Sequence, residues 1–313
     1  MPNHPRIETD EYTNFVTTRT RNSELWLINN QKLEHEILGS LAKCVDRYKT
    51  DLYAISLEGS HIHHVSKFPH LNRADFMRDF NSAAARAVKR HVPNYPGGTL
   101  WARRYSNEFI LTDSAIVQKF LYTVLQPVQD GLVEHLEDYP GYNCLYDAAW
   151  GIKRNYELVR WGEYNAARRW NKEVKIEDFT DTFTLSFTRL PGYDHLSQEE
   201  YAKTVFAMVE DERQRIVAAR KAQGKGFMGR KRLLAVIPGT PAKSPKVSSY
   251  WDLRPRVISG SIRRNKEGYA WYFDLYNRFK TASAQYRGGD LSVEFPPGMY
   301  RPFLPSSVGR DTG

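Results

Sequence analysis

Cysteine is nearly absent: Cys44 and Cys144 are the only two in 313 residues. That excludes a disulfide-stapled scaffold and a four-cysteine zinc site, and the simplest compartment for such a chain is a reducing cytoplasm. Long hydrophobic runs are absent too. No stretch of about 18 apolar residues exists, so no membrane span is expected. The opening residues, MPNHPRIETDEY, are too polar and acidic for a secretory signal. There is no internal repeat, no G-x-S-x-G of a serine hydrolase and no H-E-x-x-H of a zinc protease. What is present is an ordinary soluble composition, 41% hydrophobic and 13% aromatic, enough for a real core and against global disorder.

Acidic residues run short at one end only. Residues 1–210 hold 25 Lys/Arg against 28 Asp/Glu, whereas residues 211–313 hold 20 against 8, a net of +12. The whole +9 excess of the chain therefore sits in the last third. A basic block on a near-neutral domain points to a polyanionic partner, most often nucleic acid, with a solvated tail as the plain alternative. Gly224-Lys225-Gly226-Phe227-Met228-Gly229 fits G-x-G-x-x-G, but it follows a helix instead of a strand and lacks a Lys-Ser/Thr pair. It reads as a helix exit, not a phosphate loop.

Hydropathy patterning places a strand at Tyr12–Thr20. A helix follows, capped by Asn29 or Asn30, with Leu33, Ile37, Leu38 and Leu41 on one face. Asp51–Val65 reads as strand, bent at Gly59. A helix over Arg73–Val92, a strand over Leu100–Leu111 and a helix that begins after the cap Asp113 and runs toward Pro127 complete an α+β layer of helices on a sheet. Residues 142–180 read as short helices and Gln198–Gln223 as a long amphipathic one. Residues 238–265 read as irregular, and Glu267–Tyr286 as an aromatic-rich helix.

Two local patterns carry chemistry. In His61-Ile62-His63, residues i and i+2 of a strand share a face, so both imidazoles converge as two metal ligands must, while His64 points the other way. A pair of surface histidines is the bland alternative. Tyr122 and Gln126 lie four apart on one helical face just ahead of Pro127. A phenol and an amide oxygen side by side suit a nucleophile and a metal ligand, although Tyr and Gln at this spacing also recur by chance.

Together, H-hydrophobic-H on a strand and Tyr-x-x-x-Gln on a later helix resemble the signature of the single-tyrosine HUH transposases. KFLYTVLQPVQDGLVEHLEDYPGY is similar to a stretch of the REP-associated tyrosine transposases. LWARRYSNEFIL resembles their W-x-R-x-Y segment, and FMGRK, LRPRV and DLSVEFPPGMYRP resemble the C-terminal extension of longer members. Gln126 replaces an Asn, Asp130 an Ala, and Gly141-Tyr142-Asn143 stands where the family has Trp-Ser after Tyr-Pro.

The resemblance implies an antiparallel, ferredoxin-like nuclease domain over residues 1–145, a helical extension over 146–230 and a basic DNA-binding extension over 231–313. It implies a transposase that cuts and rejoins single-stranded, hairpin-flanked DNA, with Tyr122 as nucleophile forming a 5′-phosphotyrosine. His61, His63 and Gln126 would hold Mg²⁺ or Mn²⁺. Hairpin phosphates would meet Arg230, Lys231, Arg232, Lys243, Lys246, Arg254, Arg256, Arg263 and Arg264. Trp101, Arg103, Arg104 and Tyr105 are candidates to meet unpaired bases, with core packing an equal alternative for Trp101 and Tyr105. A replication initiator or relaxase shares the same motifs but usually carries an added helicase domain, for which this length leaves no room. A non-catalytic hairpin binder is the other alternative, disfavoured by four intact site residues.

Overall fold

A computed structural model describes residues 5–242 and 256–303. Strand β1 (Thr13–Arg19), helix α1 (Gln31–Tyr48), strands β2 (Asp51–Glu58) and β3 (His61–Lys67), helix α2 (Arg73–His91) and strand β4 (Ser106–Ile110) follow in the order β-α-β-β-α-β. The strands lie β2-β3-β1-β4, every neighbouring pair antiparallel. This is the ferredoxin-like arrangement. The expected single bent strand over 51–65 is instead a hairpin. Glu58 pairs with His61 across the two residues Gly59 and Ser60, a loop length and composition that reverse a chain tightly.

Both faces of the hairpin are buried, because helices cover both sides. On one face His64 bonds to Ser66 and to Met77 of α2, and Arg73 of α2 reaches Asn14. On the other face Phe15 and His63 meet Tyr122 of helix α3 (Asp113–Val124). Asn30 caps α1 by accepting from Leu33 N–H. Thr112, not the expected Asp113, caps α3 by accepting from Ala115 N–H, since an N-cap needs extended backbone and Asp113 is already helical.

Past the short helices α4 (Gln126–Gln129) and α5 (Leu145–Trp150), residues expected to be only short helices contain a strand as well. Strand β5 (Arg154–Val159), helix α6 (Trp161–Trp170) and strand β6 (Thr180–Leu185) form a second, two-stranded antiparallel sheet. It packs on α1 where Gly39 lets Leu158 and Tyr156 approach; a Cβ on Gly39 would lie 2.8 Å from Leu158 Cδ2. Helix α7 (Gln198–Ala222) starts in a Ser197–Glu200 capping box, and α8 spans Arg230–Leu234.

The C-terminal region returns to the first sheet. Strand β7 (Arg256–Ile258), inside the stretch read as irregular, adds to the β4 edge in parallel. Three residues, one of them Arg256, give too short a pattern to recognise alone. Helix α9 (Ile262–Arg287) then lays Trp271 edge-on to Tyr12 and Phe109, at 5.1 and 5.3 Å between ring centres. With Ile7, Tyr272 and Met299 these residues build a second small core. Among the described residues, no helix is long and apolar enough to cross a membrane.

Candidate active site

Sheet register lays two rows of side chains across one face. Glu58, His61 and Arg19 stand opposite one another on β2, β3 and β1; Ser56, His63 and Thr17 form the neighbouring row. Thr17 Oγ1 bonds to His63 Nδ1 at 2.7 Å, and Ser60 Oγ lies 3.2 Å from His61 Nδ1. Each imidazole is thereby gripped through Nδ1, which directs Nε2 to the opposite side of the ring. The two rings sit 4.6 Å apart, edge to face. His64 occupies the other face, as the pleat requires.

Over these rows runs the α3–α4 segment. Pro127 cannot donate to the helical ladder, and the backbone breaks at Leu125 (φ −91°, ψ 5°). The path nonetheless continues, because Gln129 N–H reaches Leu125 O and Asp130 N–H reaches Gln126 O. Tyr122, Gln126 and Asp130 therefore fall on successive turns above the histidines. Tyr122 packs edge-on to Phe15 and His63, at 5.5 and 5.9 Å. Gln126 Nε2 donates to Asp130 Oδ1 at 3.1 Å.

The Gln126 amide oxygen is buried and has no hydrogen-bond partner among the described residues. An unspent buried acceptor is costly, and it fits a cation. Donor atoms of Glu58, His61 and Asp130 lie within 4.8 Å of one another. Oxygen and imidazole donors in this mix suit Mg²⁺ or Mn²⁺. Glu58 and Asp130 were absent from the ligand set expected from sequence. His63 lies outside that three-residue group but faces Tyr122 directly.

Burial dominates the electrostatics of the site. Burial, then the charges of His61 and Arg19, push the His63 imidazole well below its ordinary range, so it is neutral, as a ligand must be. Burial and the nearby Asp130 push the Glu58 carboxyl up to about 8. Burial, Asp130 and Glu108 raise the Tyr122 phenol, while hydrogen bonding from Gln126 and the Arg19 charge work against that rise. Lys119 Nζ lies 5.0 Å from the Tyr122 ring centre and is paired with Glu108 at 2.9 Å.

Helix α7 braces this arrangement from outside. Arg220 donates to the carbonyls of Gln129 (2.8 Å) and Gly226 (2.9 Å), and Met228 and Gly229 N–H groups donate to Gly131 and Leu132 carbonyls. Gly131 sits in the left-handed region (φ +73°), where other residues are strained, and a Cβ there would displace the Arg220 guanidinium, whose Nη2 would lie 1.9 Å away. The Gly224–Gly229 motif thus clasps the backbone that follows α4.

The expected DNA contacts are scattered. Trp101 donates its indole N–H to Asn81 O, and Tyr105 lies under the Arg6 guanidinium. Arg103 and Arg104 are exposed, as are Arg230, Lys231 and Arg232 on α8. Arg256 pairs with Glu108, and Arg263 and Arg264 with Glu267. Lys243, Lys246 and Arg254 lie outside the described residues. A separate groove of about 400 Å³, lined by His35, Glu36, His91, Glu157 and Trp161 among others, contains none of the site residues.

Residues 12–119 match the family model described as IS200-like transposase. The match covers about a third of the chain, is to the kind of family that the motifs resemble, and ends just before Tyr122. No curated protein matches the chain. Among solved structures, a REP-associated tyrosine transposase bound to a REP hairpin is 18% identical, covering 45% of this chain and 81% of that one at a TM-score of 0.38. A Deinococcus radiodurans R1 protein provisionally assigned as a transposase is 17% identical, covering 35% and 87% at 0.28. The tRNA(His) guanylyltransferase of Saccharomyces cerevisiae is 11% identical, covering 71% and 82% at 0.31. Overlaps this loose carry no residue roles.

Proposed function

We propose that the protein is a single-stranded DNA transposase of the REP-associated type, cutting and rejoining hairpin-flanked DNA through Tyr122. The observation that carries the reading is the convergence, within one chain, of the Tyr122 ring on the His61–His63 pair with Gln126 and Asp130 on the following turns. Tyr122 Oη forms a bond to phosphorus while the P–O3′ bond breaks. The phenol gives up its proton and the departing 3′-oxygen takes one up. The products are a strand ending in 3′-hydroxyl and a strand joined through its 5′-phosphate to Tyr122. Attack by another 3′-hydroxyl on that phosphotyrosine restores the phenol and reseals DNA, so phosphoester bonds are conserved and no nucleotide cofactor is needed.

His61, His63 and Gln126, with Glu58 and Asp130 beside them, would hold the divalent cation, Mg²⁺ or Mn²⁺, whose contribution when bound is Lewis-acid polarisation of phosphate oxygens. Thr17 and Ser60 keep the imidazoles aimed, and Phe15 fixes the Tyr122 ring. The cut must fall in unpaired DNA, because a side chain of tyrosine length cannot reach a backbone phosphate in line within a rigid duplex. The basic region over residues 231–313 and the exposed arginines of α8 would grip the hairpin phosphates, in a cytoplasmic protein. The test is incubation of wild type and Tyr122→Phe with hairpin-flanked oligonucleotides and Mn²⁺. A denaturing gel should show a covalent complex with wild type alone; an adduct with Tyr122→Phe would reject the assignment.

A further inference from the structure

Arg19 ends β1 directly opposite His61 in the β1–β3 pairing. Residues facing each other across an antiparallel pair share a face of the sheet. Thr17, two residues earlier, shows which face this is, because its hydroxyl bonds to His63. Arg19 therefore rises half-buried beside His61, on the face that Tyr122 covers. Ala102 N–H donates to the Arg19 carbonyl at 2.9 Å, which brings the exposed Arg103 alongside. The other cation near Tyr122, Lys119, is engaged by Glu108 and lies 4.2 Å over the Phe15 ring.

We propose that Arg19 seats the scissile phosphate: its guanidinium donates to the non-bridging oxygens of the phosphodiester that Tyr122 attacks. The inference rests on the transposase reading above and adds the residue that binds the reacting group. A guanidinium suits the task, since its planar fork matches two phosphate oxygens and keeps its charge at any working pH. Its position at a half-dry rim makes that charge worth more than in open water. The Arg19 charge already acts on both Tyr122 and His63, and burial together with Arg103 opposes it, a tension that an incoming anion relieves. Asp130 is also close to Arg19, so the competing role is that of a plain counter-ion to Asp130.

The experiment first maps the cleaved linkage with wild-type protein. Oligonucleotides with either a phosphate or an uncharged methylphosphonate at that linkage are then bound to Tyr122→Phe protein in EDTA, where no chemistry occurs and side chains alone meet the charge. With Arg19 present, methylphosphonate should weaken binding by about 10- to 100-fold, the range for a charge-assisted hydrogen bond. With Arg19→Ala, or with Arg19→Gln if the alanine variant does not fold, the phosphate oligonucleotide should bind as weakly as the methylphosphonate one. In a Tyr122 background, Arg19→Lys should recover part of the cleavage that Arg19→Ala loses. Equal weakening of both oligonucleotides, with the methylphosphonate penalty intact, would overturn the seat and leave the counter-ion role. Absence of cleavage by wild type overturns the transposase reading and the seat with it.

Discussion

Replacing Glu58 by glutamine should make the metal-free protein more stable at alkaline pH. Glu58 is 2% exposed, and burial beside Asp130 lifts its carboxyl from the ordinary 4.5 to about 8. Below pH 4.5 the carboxyl is protonated in both folded and unfolded chains. Between 4.5 and 8 the unfolded chain is ionised and the folded one is not, so stability falls as pH rises, and above 8 the loss is complete. At about 1.4 kcal/mol per pH unit, the ceiling is ~5 kcal/mol. Water entry and relaxation reduce such penalties, so about 2–4 kcal/mol is a reasonable expectation. Glutamine keeps the shape and never ionises. In EDTA, the melting temperature of Glu58→Gln relative to wild type should therefore climb between pH 5 and pH 8.5, by roughly 5–10 °C for a chain of this size. Mn²⁺ should reverse the order, because the wild-type carboxylate gains a cation and the amide does not. A gap between the two proteins that does not change with pH would refute the reasoning.

His61→Ala and His63→Ala should each abolish cleavage while leaving the fold intact. His64→Ala, on the other face, should keep cleavage but cost about 2–4 kcal/mol of stability through the void it leaves beside Phe76 and Met77; cleavage assays and denaturant melts check both. Arg220→Ala unclasps the Gln129 carbonyl, so it should raise the Mn²⁺ concentration needed for half-maximal cleavage more than it lowers DNA affinity. Reversing Arg230, Lys231 and Arg232 to glutamate should flatten the salt dependence of hairpin binding by about 0.7–0.9 log units per tenfold salt for each phosphate no longer neutralised; an unchanged slope would leave α8 out of the interface.

The histidine pair and the Tyr122–Gln126 pair were readable because each depends on a local period, two in a strand and about four in a helix. Glu58 was not, since it reaches His61 only if Gly59 and Ser60 reverse the chain, and a bend there reads much the same as a turn. Asp130 lies beyond Pro127, which normally marks a helix end, so its return to the same face needed the actual backbone. Arg19 depends on the register of two strands some forty residues apart, which no local pattern carries. The β5–β6 pair escaped because both strands are short and half-exposed, with polar residues, some of them charged, at the outward positions. The basic C-terminal third was legible as charge, yet part of it also supplies β7 and α9 to the first sheet. Removing that third would therefore perturb folding along with any DNA binding, and charge reversal on α8 is the cleaner probe.

The most direct test of the account is the identity of the covalent bond. Wild-type protein incubated with hairpin-flanked single-stranded DNA and Mn²⁺, then digested with trypsin and nuclease, should give one peptide carrying added nucleotide mass. Fragmentation should place that mass on Tyr122, attached through a 5′-phosphate, and the released strand should end in a 3′-hydroxyl. An adduct on another tyrosine, a 3′-phosphate linkage, or cleavage with no adduct at all would contradict the account.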